Sequence, residues 1–220
     1  MIDHSNPFSS MSKHRIDTLV DGIFAVAMTL LVIELKIPES AHVHENTGLL
    51  SAFAELIPKF IAWFISFFVL ALFWFGHHRA FHFLNRVDAK LVALNLFFLG
   101  FVSLMPFASA LAGDHVKLIA AQVFYSANMF MVAMLAMLIT RYVYRHPLLC
   151  SLPMPEGTFR AARFRTGMLM LISLLSVVIG YYVPGAGNSA FMAMMVAGPI
   201  ARRIETKYTM ISNESRTLSI

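Results

Sequence analysis

Phe60-Ile-Ala-Trp-Phe-Ile-Ser-Phe-Phe-Val-Leu-Ala-Leu-Phe-Trp-Phe-Gly76 passes without one charged side chain. Coiled as an α-helix at 1.5 Å per residue, it covers about 25 Å, most of a hydrocarbon core about 30 Å thick. The composition around it agrees. Of 220 residues, 58% are hydrophobic and 13% charged, where a water-soluble domain carries about 25% charged residues. So small a polar inventory cannot cover a soluble surface, whereas lipid tolerates the exposed apolar side chains supplied by 20 Phe and 15 Met. The solvent for this chain is a bilayer.

Working outward from that run, five more apolar segments emerge. They are Ile16 to Leu35, Leu91 to Gly113, Leu118 to Thr140, Thr166 to about Val183, and the short Asn188 to Ala201, which contains Pro199. The second segment extends from about Glu55 to His77. The expectation is an all-α integral membrane fold, one domain over residues 1–208. Its helices fall near 16–36, 55–78, 90–112, 117–143, 164–184 and 187–204, with a polar C-terminal tail at 209–220. Leu49 to Pro58 reads as a short interfacial helix, Pro38 to Gly48 as a polar loop, and Pro106 as a kink in the third span. Pro147, Pro153 and Pro155 interrupt the largest loop, Arg141 to Arg165.

Charge orients these spans. With six crossings and a cytoplasmic N-terminus, the inner side receives Lys13, Arg15, Arg79, Arg86, Lys90, Arg141, Arg145, Arg160, Arg163, Arg165, Arg202, Arg203, Lys207 and Arg216. The outer side receives Lys36, Lys59 and Lys117, so fourteen of the 17 basic residues gather on one face. That asymmetry places both termini in the cytoplasm. The net charge of +5 is distributed between apolar runs and does not indicate nucleic acid as a partner. Met1 to Ser12 lacks the basic and short apolar regions of a signal peptide.

Catalytic chemistry has no visible home. Cys150 is the one cysteine, which excludes an intrachain disulfide. No Walker loop, dinucleotide glycine pattern or nucleophile–base set is present, so neither an enzyme nor a cofactor is expected. His78 and His82 have a spacing that can share a metal, yet one such pair beside His42 and His44 in a loop is too sparse a donor set. No metal site is assigned, and a hydrogen-bonded histidine at the membrane edge is the preferred reading.

The first helix holds ionisable groups that lipid disfavours. Asp21 lies nearly two turns beyond Arg15, inside the inner boundary, which marks it for function or helix packing, while Asp17 and Glu34 reach the interfaces. Val26, Leu30 and Ile33 recur at i, i+4, i+7 on one face, beside Thr29. Periodicity alone favours a packing or lipid-facing stripe; a hydrophobic constriction lining a pore is the other reading. Asn95, Gln122 and Asn128 are placed to bond polar partners on neighbouring helices.

Three stretches carry a family resemblance. Arg15-x-x-x-Leu19-Val20-Asp21-Gly22, continued after Ile23 by Phe-Ala-Val-Ala-Met-Thr-Leu-Leu-Val-Ile-Glu-Leu-Lys-Ile-Pro38, resembles the first helix of the transmembrane protein 175 family. Trp74-x-x-His77-His78-Arg79, and Asn95-Leu-Phe-Phe-Leu through Pro106-Phe107, agree with it. The resemblance implies a bacterial, plasma-membrane, potassium-permeable channel of four six-helix subunits, with the first helix lining the pore. Permeation is then governed by a hydrophobic constriction, and this sequence indeed has no Thr-Val-Gly-Tyr-Gly-like filter loop. Matched from the Asp-Gly anchor, the constriction falls on Val26, with Leu30 and Ile33 as further rings and Thr29 at a position tied to potassium preference. Arg15, Asp21 and His77 match a polar network at the inner helix ends.

Two departures stand out. Leu19 and Val20 occupy positions where the family has Phe and Ser, which removes one hydroxyl from that network. Val26 replaces a common isoleucine and is one methylene smaller, so an unchanged backbone leaves a wider, more easily hydrated ring. Potassium and other monovalent cations are the expected partners, with the bilayer and further copies of the chain. Glu34, Glu39 and Glu45 are placed to concentrate cations at the mouth. A proton-coupled transporter using Asp21 and His77, or a non-conducting structural protein, are the alternatives; the lack of an internal repeat counts modestly against a carrier.

Overall fold

In a computed structural model, residues 13–36, 46–194, 198 and 200–208 are described. Met1 to Ser12, most of the loop Pro38 to Gly48 (with His42, His44, Glu39 and Glu45), and the tail at 209–220 lie outside them. The described chain is helical, and five of its helical stretches are long and apolar enough to cross a membrane.

The first, α1, is Lys13–Ile33, and the second, α2, is Asn46–Phe81. The 36 residues of α2 amount to about 54 Å, well beyond a hydrocarbon core of about 30 Å. The segment expected as a separate interfacial helix, Leu49 to Pro58, is therefore continuous with the span. Pro58 sits inside α2, and the helix carries on through it. The third span is split into α3, Ala89–Ser103, and α4, Met105–Asp114. They meet at Leu104, and Pro106 occupies the first turn of α4, where a missing N–H costs nothing. The fourth and fifth spans are α5, Ile119–Arg145, and α6, Glu156–Tyr182. Here α6 starts well before Thr166, because Pro155 in extended geometry launches the helix and long Arg160, Arg163 and Arg165 stems are compatible with its N-terminal end.

Packing follows from which faces are apolar and small. Ile16, Val20, Phe24, Ala27 and Leu31 form the buried face of α1, set against α2, α3 and α4. Phe24 meets Phe98 of α3 at 5.9 Å between ring centroids. Helix α5 runs through the middle and touches α2, α3, α4 and α6. Its side chains Tyr125, Met129, Val132, Ala133 and Val143 are fully buried.

Polar bonds lock the two ends. On the arginine-rich side, Ser151 N donates to Phe83 O at 2.8 Å and Asn85 N to Leu149 O at 2.8 Å, tying the α2–α3 turn to the α5–α6 connection. Asp88 caps α3 through Leu91 N at 2.9 Å and also accepts from the Tyr142 hydroxyl at 2.5 Å. At the opposite end, Lys59 of α2 is ion-paired with Asp114 of α4.

After α6 the chain turns at Gly185, whose φ of +92° suits a residue without a Cβ, and forms a 3-10 helix over Gly187–Ala193. Residues 200–208 are again helical. Gly187 accepts a bond from Ser176 Oγ at 3.0 Å near one end of α6. Arg160, near the other end, donates to the Tyr208 hydroxyl at 2.8 Å. The two anchors are about 24 Å apart along α6, so the segment returns along most of the helix.

Two buried polar clusters hold the interior. Gln122 Nε2 donates to Ser126 Oγ at 3.1 Å and to Ser176 Oγ at 2.5 Å. Ser126 Oγ donates to Ser176 Oγ at 3.2 Å, and Ser176 passes its proton on to Gly187 O. Every donor in the set is used, which is what a low-dielectric interior demands. Nearby, Ser66 of α2 bonds Ser109 of α4 at 3.0 Å and Tyr125 of α5 at 2.9 Å.

Candidate functional site

One helix presents two unlike faces. Opposite its buried seam, α1 exposes Leu19, Gly22, Val26, Thr29 and Ile33, spaced 3, 4, 3 and 4 residues apart. That is a heptad seam of the kind that seats against further helices. Leu30 lies beside it. Val26 is 56% exposed, Leu30 41% and Ile33 55%, so the stripe read from periodicity is uncovered within one copy of the chain. Leu19, Val26 and Leu30, with Gly22 between them and Ser103 of α3 at the edge, line a shallow groove of nearly wholly apolar character.

Thr29 is the polar point of that face. Its hydroxyl lies 2.9 Å from both Ala25 O and Val26 O, so its proton is taken by α1 itself. The oxygen lone pairs remain to accept from water or to face a cation.

At the arginine-rich end the expected polar residues are distributed over two bonds. Trp74 Nε1 of α2 donates to Asp21 Oδ1 at 2.8 Å, which fixes the N-terminal half of α1 to α2. One turn further along α2, His77 Nε2 donates to Asn95 Oδ1 of α3 at 2.8 Å. The His77 ring is 7% exposed and lies between Phe81, at 4.0 Å, and Phe98, at 5.5 Å, stacked on both. Phe98 in turn touches Phe24 of α1. Asp21 and His77 thus brace α1, α2 and α3 through separate partners. Arg15 is exposed on α1, and among the described residues no hydrogen bond or ion pair joins it to Asp21 or His77.

Trp74 and Asn95, which stand in the motifs quoted above without an assigned partner, are the bonding partners of Asp21 and His77. Asn95 carried a signal, an amide in an apolar run wanting a polar partner, but which helix supplies it is a long-range fact. Glu34 follows α1 and is exposed. Among the described residues, no group of three His, Cys, Asp or Glu side chains lies close enough to hold a metal ion. Cys150 lies in the connection after α5, half-buried, and burial pushes its thiol pKa up.

Comparison with known proteins places these features. Residues 15–106 match the family described as endosomal/lysosomal potassium channel TMEM175. A protein named as a potassium channel from Chamaesiphon minutus is 38% identical over 101 residues, covering 46% of this chain and 49% of that protein. Another so named, from Streptomyces collinus, is 33% identical over 103 residues, 47% of this chain and 48% of its own length. The chain thus spans about half the length of the curated relatives it matches. A crystal structure of a lysosomal potassium-selective channel TMEM175 homologue from Chamaesiphon minutus superimposes with a TM-score of 0.63. It covers 91% of this chain and 98% of that one at 24% identity, which establishes likeness of fold. The matched residues hold α1, Asp21, Trp74, His77 and Asn95.

Proposed function

We propose that this chain is a member of the family described as endosomal/lysosomal potassium channel TMEM175, whose model residues 15–106 match, and a subunit of a potassium-permeable cation channel whose pathway is walled by α1. The observation that carries the proposal is the uncovered apolar seam of α1, on a helix whose other face is fully packed. A multi-pass membrane subunit leaves such a seam for lipid or for copies of itself. The heptad spacing, with Gly22 and Thr29 as small residues within it, suits close approach of identical helices.

In this reading four copies assemble with their α1 helices around one axis in a bacterial plasma membrane. Residues 1–208 form the channel domain, and the return segment from Gly187 to Tyr208 is the sixth crossing. Both termini then lie on the arginine-rich, cytoplasmic side. The retracing of α6 between Gly187 and Tyr208 and the one-sided basic residues support this topology.

Permeation follows from the chemistry of the rings. Val26, Leu30 and Ile33 offer no oxygen to replace a cation's hydration shell, so the barrier is the free energy of wetting a narrow apolar neck. Thr29 adds a ring of hydroxyl oxygens between those of Val26 and Leu30, the point where a partly dehydrated potassium ion regains a ligand. Asp21–Trp74 and His77–Asn95 hold the inner half of α1 at a fixed distance from the axis, so that ring diameter does not drift. Arg15, a short distance below Asp21, completes the inner polar collar with neighbouring copies.

The test is flux. Reconstituted in liposomes, the wild-type chain passes potassium in preference to sodium, and Val26→Cys in a Cys150→Ser background conducts until a thiol reagent blocks it. Absence of flux, or flux through Val26→Cys that the reagent leaves untouched, would reject α1 as the pathway.

A further inference from the structure

On the side of the subunit away from α1, an apolar groove runs toward the arginine-rich end. Phe64, Phe68 and Leu72, at i, i+4 and i+8 on α2, form one wall, and Phe191, Met192 and Gly198 belong to the other. Phe64 and Phe68 are 43% and 49% exposed. Leu72 and Gly198 also border a second cleft, which contains Arg79 of α2, Arg165 of α6, and Arg202 and Glu205 of the return segment. The two hollows therefore adjoin at Leu72 and Gly198, the first lined by apolar side chains and the second partly by basic ones.

The charges in that end do not cancel. Arg79 is ion-paired with Glu205, which also accepts from Thr158 Oγ1 at 2.9 Å. Arg165 and Arg202 share the same cleft with that single carboxylate. Arg165 lies alongside Gly76 of α2, where a Cβ would stand in ordinary contact, 3.6 Å, with one of its guanidinium nitrogens. From Phe68 to Arg79 along α2 is about 16 Å, the depth of one leaflet's hydrocarbon, about 15 Å.

The geometry points to a bound anionic phospholipid, its acyl chain in the Phe68–Leu72 groove and its phosphate between Arg165 and Arg202. Guanidinium groups suit phosphate because their paired N–H donors match its oxygens, and basic clefts between spanning helices at the cytoplasmic face are where such headgroups settle. A second copy of the chain is a poorer occupant, because most of its acidic side chains at this level, among the described residues, are engaged. Asp21 is held by Trp74, Asp88 by Tyr142 and Leu91, and Glu156 by Arg160; Asp17, partly exposed on α1, is the exception. The inference rests on the helices spanning a bilayer, and it does not require that α1 conduct.

The experiment uses the full chain purified in neutral detergent and freed of lipid. Phosphatidylglycerol, phosphatidylcholine and inorganic phosphate are added separately, and retained lipid per subunit is read by native mass spectrometry alongside the thermal midpoint. Phosphatidylglycerol should be retained and should raise the midpoint, with phosphatidylcholine and phosphate doing neither. Arg165→Gln and Arg202→Gln should each weaken phosphatidylglycerol retention about tenfold, while Leu72→Trp, which fills the groove, should abolish it with the lipid-free midpoint preserved. Equal retention of the two lipids, an equal response to phosphate alone, or undiminished retention in all three variants would overturn the site. Flux after reconstitution of the same preparations into liposomes separates the two readings, since lost flux with retained lipid rejects only the conducting role of α1.

Discussion

The exposed seam of α1 and the buried knot around Ser176 invert the usual rule of a soluble protein. The seam puts Val26, Leu30 and Ile33 outside, and the knot puts Gln122, Ser126 and Ser176 inside, at 6%, 2% and 0% exposure. In lipid, apolar surface gains little by hiding, so association is specified by close packing and by polar bonds that have no other partner. The knot therefore decides how one subunit holds together, and the seam is free to serve between subunits. If α1 walls the pathway as proposed, structure and permeation fall on different helices, and mutations should separate them.

The sharpest way to break that division is at Gly187. A Cβ there would lie 2.6 Å from Gln122 Cδ and 2.8 Å from Ser176 O, so Gly187→Leu must push the return segment off α6 and pull the knot apart. Overpacking together with lost interhelical bonds sums to about 2–4 kcal/mol. The expected outcome is a large fall in thermal midpoint and in monodisperse yield, with flux lost as a consequence. The converse change, Val26→Asn, acts on the seam alone. An amide ring hydrates the neck, and lowering a wetting barrier by about 1.4 kcal/mol raises flux about tenfold. Liposome flux should rise while the thermal midpoint stays at the wild-type value; equal shifts in both would mean that Val26 packs within the subunit.

How much of this was written in the sequence differs between the two regions. The spans were legible because a hydrocarbon solvent imposes long charge-free runs, as in Phe60 to Gly76. The stripe of Val26, Leu30 and Ile33 was visible as a period, but a period cannot say whether lipid, protein or ions face it. Its exposure emerges once Phe24 and Ala27 are seen to take the packed side. The continuity of α2 through Pro58 was hidden, since proline signals interruption and the local rule does not register the packed helix around it. The pairing of His77 with Asn95, and of Asp21 with Trp74, was likewise beyond local reading. Each joins residues on different helices, and sequence spacing carries no information about which helices adjoin. Gln122 was recognisable as a polar residue needing a partner, though Ser176 and Gly187 were not recognisable as that partner.

A smaller effect tests whether the knot's polarity matters beyond its shape. Gln122→Leu keeps a similar volume and removes two donated bonds, leaving Ser126 and Ser176 still bonded to one another and to Gly187. The bond to Ser126 lies within α5 and the one to Ser176 crosses to α6; a single interhelical bond in a membrane contributes about 0.6 kcal/mol on average, so the loss costs about 0.6–1 kcal/mol. The thermal midpoint should fall by a few degrees and flux should persist. A collapse as large as that of Gly187→Leu would show that hydrogen bonding, not close approach, dominates the contact between α5 and α6.

The smallest effect expected belongs to Cys150, which lies in neither region and so calibrates both. Its thiol pKa is raised by burial, which leaves less thiolate at neutral pH than a solvated cysteine has, and the thiolate is the reacting form. A thiol reagent applied at pH 7 should therefore modify Cys150 more slowly than a free thiol, with the rate rising as pH rises toward the elevated pKa. Modification there should leave flux unchanged, because the connection after α5 is remote from the seam in the proposed assembly. If labelling Cys150 instead reduced flux, the inner connections held by the Phe83–Ser151 and Asn85–Leu149 bonds would have to transmit force to α1. The clean separation of the packed and conducting regions would then fail.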